Sequence, residues 1–252
     1  MRIIALQSGS KGNCLYLETG STRLLFDAGI SGKMAQDRLA AFHIDIRSVN
    51  ALLISHDHND HVSCAGIFNR KFGIPLWTTR KTFQAMESRL GEVNQVNFFN
   101  SGETIQFDDV SVETIRTPHD AADGVCFVAD NGKKRFGICT DLGHVFNELP
   151  SVIASLNGVL LESNYDPIML KYGDYTEPLK ARIRSDHGHL SNEEAAELLV
   201  QSGKRLQMVM LGHISENNNT EVQVIKTHQK IVGRHFCPEL AHYRACSRGV
   251  QI

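Results

Sequence analysis

Several things are scarce in this chain of 252 residues, and each scarcity excludes something. No segment stays apolar long enough to span a bilayer, and the opening MRIIALQSGSKGNC turns polar after six residues, so it holds no signal-peptide core. An excess of one charge is also missing. The 26 Lys and Arg face 28 Asp and Glu, and a formal net charge of −2 supplies no global attraction for nucleic acid, leaving any such partner to a local patch. The six cysteines, Cys14, Cys64, Cys126, Cys139, Cys237 and Cys246, form no C-x-x-C pair, which argues against a zinc ribbon and against a secreted disulfide framework. They read as reduced core or loop residues, and the protein as cytoplasmic with no membrane partner. Low-complexity stretches and solenoid-length repeats are absent too. What remains is 42% hydrophobic and 21% charged residues, an ordinary globular composition long enough to bury a good core, and one domain over residues 1–252 is expected.

Along the chain, RIIALQ, NCLYLET and TRLLFDAG read as strands and KMAQDRLAAFH as an amphipathic helix with Met34, Leu39 and Phe42 on its apolar side. VNALLIS is a short apolar strand, followed by a helix in CAGIFNRKFG and a strand in IPLWTT. From Gly102 the pattern becomes hairpin-like through ETIQF, VSVETIR, GVCFVAD and KRFGICT, with Asp130, Asn131 and Gly132 tolerating the positive φ of a tight turn. NGVLLES and LQMVMLGH are strands again. SNEEAAELLVQSG is a helix opened by a capping box, Ser191 with Glu194, and stopped at Gly203. Interleaved strands and helices predict an α/β fold with helices covering stacked sheets.

One stretch asks for chemistry. SHDHNDH, Ser55 to His61, gathers three imidazoles and two carboxylates in seven residues directly after a buried strand. Alternating side chains put His56 and His58 on one side, and Asp60 with His61 can face them across a turn. A lone H-x-H is usually two surface histidines, but H-x-H-x-D-H at the end of an apolar strand has the donor set of a zinc, manganese or iron site.

This segment resembles the signature of the metallo-β-lactamase superfamily, and His119 in RTPHDA, Asp141 in GICTDLG and His213 in MLGHIS follow in the matching order, each after a strand. The resemblance implies a four-layer αββα sandwich and two divalent ions, Zn or Mn with Fe also possible. His56, His58 and His119 would hold one ion, Asp60, His61 and His213 the other, with Asp141 bridging. An aspartate at 141 departs from the common zinc β-lactamases, which have cysteine there. Only 39 residues follow His213, too few for the helical substrate domain of glyoxalase II. The 72 residues from Asp141 to His213 are too few for a β-CASP cap. SGSKGNC, SHDHNDH, TPHDA, TDLG, LESNYD, HGHLSN and LGHISENNN together resemble the YycJ/WalJ-like branch, bacterial metal-dependent hydrolases regarded as DNA exonucleases. Tyr165 stands where some relatives have histidine.

The resemblance implies a phosphodiesterase with DNA as its substrate, attacked from the 5′ end, in which two ions about 3.5 to 4 Å apart generate hydroxide and neutralise phosphate charge. Asp60, Asp141 and His189 are the candidate catalytic residues, His189 as the donor to phosphate oxygens. Candidate substrate contacts are Ser8, Ser10 and Asn13 in a glycine-rich turn, Asn164, Asn192, Ser215 and Asn218, and the basic trio Lys180, Arg182 and Arg184, which in an extended segment would share one side and hold the DNA backbone. Ser191 also fits a plain helix cap, His187 either solvent or the site, and GKKR at Lys133 to Arg135 a hairpin tip. Two other readings stay open: a hydrolase of small esters, thioesters or lactones, since the same ligands serve all of these, and a non-catalytic DNA-binding or regulatory protein that keeps metal for folding.

Overall fold

The computed structural model describes residues 1–252. Strands β1 (Arg2–Gln7), β2 (Cys14–Thr19) and β3 (Thr22–Phe26) form an antiparallel meander, to which β4 (Ala51–Leu53), β5 (Leu76–Thr78) and β6 (Val96–Phe98) add in parallel. A second sheet begins with the meander β7 (Thr104–Phe107), β8 (Val110–Arg116), β9 (Val125–Asp130) and β10 (Arg135–Cys139). It continues in parallel through β11 (Gly158–Glu162), β12 (Met208–Gly212) and β13 (Glu239–Leu240). The short β14 (Val250–Gln251) pairs with β1, so each sheet has seven strands.

Burial divides the molecule into layers. Ile3, Leu17, Phe26 and Leu53 of the first sheet meet Val112, Phe127, Phe136 and Leu160 of the second in one core. Phe26 and Phe127 touch across it with ring centroids 5.2 Å apart. The opposite face of the first sheet is covered by α1 (Gly32–Ala40), α3 (Ala65–Phe72) and α4 (Arg80–Leu90), which supply Leu39, Phe68 and Met86. α2 (Asn59–Val62) is a single turn between β4 and α3. The outer face of the second sheet carries α5 (Leu149–Ser155), α8 (Asn192–Ser202) and α9 (Glu221–Ile231) through Ile153, Leu198 and Val224. Two further short helices, α6 (Pro167–Tyr172) and α7 (Glu177–Ile183), lie between β11 and α8 around a small cluster of their own. The architecture is the expected α/β sandwich of four layers, αββα.

Local chemistry explains most element ends. The capping box at Ser191 is present in both directions, and Gly203 ends α8. The β9–β10 hairpin turns at Asn131 and Gly132, the latter at φ 78°. All six cysteines are free. Three expectations need correction. Met34 is 39% exposed because α1 turns Gly32, Ala35 and Leu39 inward instead, and Phe42 lies beyond the helix end. The segment holding Lys180, Arg182 and Arg184 is helical, not extended, since Thr176 and Pro178 start α7, so the three cations do not share a side.

His228 sits inside α9 fully buried, stacked on Phe236, with Nδ1 donating to the Val224 carbonyl and Nε2 without a partner. Burial pushes its pKa down to about 4, against an ordinary 6.5. Between those values the unfolded chain binds a proton that the folded one refuses, so this residue makes stability fall as pH drops from about 6.5 towards 4. His228→Leu should flatten that acid limb in urea midpoints measured against pH; an unaltered limb would assign it to other groups.

Candidate metal centre

The site is assembled from strand ends. β4 stops at Leu53 and the chain stays extended through His58, the N-cap of α2 at φ −68° and ψ 147°, before the single turn presents Asp60 and His61. His119 follows β8, Asp141 follows β10 and His213 follows β12. These strands run in one direction, so their carboxyl ends meet at one edge of the sandwich. Asp141 and His213 have φ of 57° and 52°, and Asp27, just after β3, has 62°. Left-handed backbone is costly for residues with a Cβ, and its recurrence at three strand ends of one site turns each side chain back over the edge. The β1–β2 loop closes the floor, where the Asn13 N–H donates to the Asp60 carbonyl at 2.7 Å. Gly29 is pressed so close that a Cβ would lie 1.6 Å from that carbonyl oxygen, which is why no larger residue fits.

All seven candidate ligands come together. Donor atoms of His56, His58 and His119 lie within 4.8 Å of one another, as do those of Asp60, His61 and His213, and Asp141 joins both sides through groupings with His56 and His61 and with His213. His119 Nε2 is 3.3 Å from His58 Nδ1, and His213 Nε2 is 3.3 Å from Asp141 Oδ1. His61 Nε2 lies 3.2 Å from Asp141 Oδ2 and 3.4 Å from Asp60 Oδ2. The outer nitrogen of every histidine is taken. His61 Nδ1 donates to Asp27 at 2.7 Å, His119 Nδ1 to the Gly188 carbonyl at 2.9 Å, and His58 Nε2 to the Asp120 carbonyl at 3.1 Å. His213 Nδ1 reaches Asn13 Oδ1 at 3.3 Å, and His56 Nδ1 reaches Ser55 Oγ at 2.9 Å, a hydroxyl whose own proton goes to Asp27. The inner nitrogens of His56, His58, His119 and His213 are thereby left with a lone pair, whereas His61 Nε2 meets the Asn13 amide at 2.9 Å and the Asp141 and Asp60 carboxylates. Mutually facing lone pairs repel, and His56 Nε2 and Asp141 Oδ2 are buried with no hydrogen-bond partner. Burying such acceptors is costly unless something positive meets them. The residues present fit divalent metal ions.

The electrostatics divide the histidines. His56 and His119 are held below the ordinary imidazole value by burial, which keeps them neutral, the ligating form. Burial would also lower His61, but Asp141, Asp27 and Asp60 outweigh it and raise the value. Asp141 is held well below the usual carboxylate range, burial opposing and His213, His61 and His56 prevailing. His189 is raised to about 9, again against burial, by the fully buried Glu162 carboxylate 2.6 Å from its Nδ1. The pairing with Glu162 favours the imidazolium, and the ring lines the cleft above the donors.

Above the donors lies a cleft of about 420 Å³ lined by Asp60, Asp141, His189, His213, Ser10, Asn164, Ser215 and Arg182 among others. The remaining candidates do not reach it. Ser8 is buried and accepts the His213 N–H at 2.9 Å, and buried Asn13 bonds His61 and Asp60, so both position candidate ligands. Asn192 is fully buried between Ser163 and Asn219, and Asn218 is buried beneath Ser215. Lys180 is buried, spent on the Lys171 carbonyl and Glu177, while Arg184 folds back on the Lys180 carbonyl. His187 is exposed outside the cleft. Asp57 accepts the Ala122 N–H, and Asp120 pairs with Arg182. Asp27 and Glu162 were missed by sequence reasoning although each is an acid ending an apolar strand, a legible signal. Arg89 and Tyr175, also in the cleft wall, carry no local signal.

The model of the family described as the metallo-beta-lactamase superfamily matches residues 8–200. The chain belongs to the metallo-β-lactamase superfamily. Within this superfamily it is 40% identical over 219 residues, 85% of this chain and 81% of the relative, to Exodeoxyribonuclease WalJ of Streptococcus pneumoniae. It is 36% identical over 220 residues, 85% of this chain and 82% of the relative, to Exodeoxyribonuclease YycJ of Bacillus anthracis. Zn(2+)-bound PqqB from Methylobacterium extorquens superposes over 100% of both chains with a TM-score of 0.74 at 16% identity, a likeness of fold. Members of the metallo-β-lactamase superfamily are metal-dependent hydrolases, and the cluster of histidines and aspartates here could hold their divalent ions.

Asp27→Asn tests how the site is tuned. Asparagine tolerates the left-handed backbone and can still accept from Ser55, but its amide donates to His61 Nδ1 and drives the ring proton onto the inner nitrogen. Metal affinity should drop roughly 10- to 100-fold, read by competition with a chromogenic chelator while near-UV circular dichroism stays native. Unchanged affinity would show that Asp27 does not set this tautomer.

Proposed function

We propose that the protein is a metal-dependent exodeoxyribonuclease, acting from 5′ ends as the resemblance to its branch implies. The observation that carries this reading is the identity of 40% across most of both chains with a named exodeoxyribonuclease, in a chain that brings all seven candidate donors to one edge. His56, His58 and His119 would hold one ion, Asp60, His61 and His213 a second, with Asp141 between them. Zinc or manganese suits the donors, and iron is compatible. Divalent ions held there supply Lewis-acid charge against phosphate oxygens and lower the pKa of water.

The chain's own residues do the rest. The protonated His189, fixed by Glu162, donates from Nε2 to a phosphate or leaving-group oxygen, so that negative charge building there meets a preorganised cation. Arg182 and Arg89 border the cleft and attract flanking phosphates, and Ser10, Asn164 and Ser215 are neutral donors on its wall. With its thiols free and no helix long and apolar enough to cross a membrane, the protein suits a reducing cytoplasm.

The test is digestion of end-labelled duplex and single-stranded DNA by metal-stripped protein resupplied with Mn²⁺ or Zn²⁺. Nucleotides should be released one at a time from 5′ ends, with loss of activity in Asp60→Ala. His189→Ala should keep its metal content and slow turnover about 10²- to 10³-fold. If ions bind and no DNA is cut, while a thioester or lactone is hydrolysed, the small-molecule reading replaces this one.

A further inference from the structure

Polar groups dominate the cleft above the metal donors. Of its fifteen lining residues only three are hydrophobic, Tyr175, Leu179 and Ile183, and all three come from the α6–α7 segment. They therefore make one apolar wall beside an otherwise polar lining. Leu179 and Ile183 are four apart on α7 and share a face. The wall is backed by a cluster separate from the main cores, in which Tyr165, Leu170 and Ile183 are buried and Tyr175 and Leu179 pack against them. Tyr175 is also fixed at its far edge, where its hydroxyl accepts from Asn217 Nδ2 at 2.8 Å, on the loop after β12 that carries Ser215 into the same cleft. The ring is half-buried and held at both ends.

A phosphodiester group is anionic and hydrated, and has no use for an apolar wall next to its site of attack. The base on the same nucleotide has. We infer that Tyr175, supported by Leu179 and Ile183, is the stacking platform for the base of the terminal nucleotide, with the metal donors, His189 and Arg182 facing its phosphate. This rests on the nuclease reading and adds a specificity-determining residue to it. Every base has a π-face, so such a platform accepts all four without reading their edges. It does distinguish a nucleotide from a sugar phosphate.

Two readouts test it. The first is binding of deoxythymidine 5′-monophosphate and of 2-deoxyribose 5-phosphate to the metal-loaded protein by calorimetry. The nucleotide should bind about tenfold or more tightly, Tyr175→Leu should erase the difference by weakening the nucleotide alone, and Tyr175→Phe should keep it. The second is kcat/KM on single-stranded DNA whose attacked end is either a natural nucleotide or a tetrahydrofuran abasic residue. The wild type should favour the natural end by a similar factor, and Tyr175→Leu should lose that preference by slowing cleavage of the natural end more than of the abasic end. Equal binding of the two monophosphates by the wild type, or an equal loss on both ends in Tyr175→Leu, would overturn the platform and leave Tyr175 a structural residue. Base-dependent binding without any digestion would instead overturn the nuclease reading and leave the nucleotide subsite standing.

Discussion

Five imidazoles packed at one sheet edge can serve as ligands only if each carries its proton on the outer nitrogen. That constraint is met here by five different acceptors: the Asp27 carboxylate, the Ser55 hydroxyl, the Gly188 and Asp120 carbonyls, and the Asn13 amide. These partners orient the rings and raise their basicity, and all but His61, whose inner nitrogen meets Asn13 and two carboxylates, turn an inner lone pair towards the cluster. In the absence of a cation the result is an unfavourable cluster, with a buried unpartnered nitrogen on His56 and oxygen on Asp141. If the cluster holds metal as proposed, affinity for the ion and local destabilisation are two sides of one arrangement.

Such a cluster needs a frame that does not relax. Both sheets deliver strand carboxyl ends to the same edge, those of β3, β4, β8, β10 and β12, and the apolar core between them packs Phe26, the residue before Asp27, against Phe127. Left-handed backbone at Asp27, Asp141 and His213 stores strain that only a well-packed scaffold sustains. The β1–β2 loop then ties the two halves together. Asn13 contacts Asp60 and His61 from the first sheet and His213 from the second, while Ser8 caps the His213 amide. The glycine-rich turn thus acts through the ligands, with Ser10 alone of its three candidates facing the cleft.

The layered fold was legible because strand and helix periods alternate cleanly and the capping box at Ser191 marks a helix start without ambiguity. Of the candidate donors, His56, His58, Asp60 and His61 were legible as one string after an apolar strand, whereas His119, Asp141 and His213 were assigned through resemblance to the family. Carboxylates and imidazoles placed directly after apolar strands are carried towards the buried end of a sheet, where they are costly unless a cation or a proton donor meets them, and they survive in sequence as short strings. Asp27 and Glu162 obey the same rule and were readable in the same way. Arg89 and Tyr175 were not, since they enter the cleft from helical segments whose placement depends on tertiary packing. The basic trio was misread by assuming an extended chain. At helical spacing, alternate residues diverge by about 200°, which sends Lys180 inward and Arg182 towards Asp120.

That correction changes how a nucleic acid would be held. With Lys180 buried, Arg184 turned away and Arg182 already paired with Asp120, the segment offers no stripe of free cations along which a duplex could lie. A formal net charge of −2 offers no compensation at long range. On the nuclease reading, the positive charge that meets phosphate is concentrated at a point, in the metal ions and the His189 imidazolium, with Arg182 and Arg89 at the margin. A point of charge grips one or two phosphates, whereas a stripe grips many and binds sequence-independently along the whole polymer. A site of the first kind gains little from the interior of a duplex. It gains most where the chain ends and a single nucleotide can enter a cleft of about 420 Å³ with its phosphate over the donors. On that reading, preference for ends would follow from where the charge is placed.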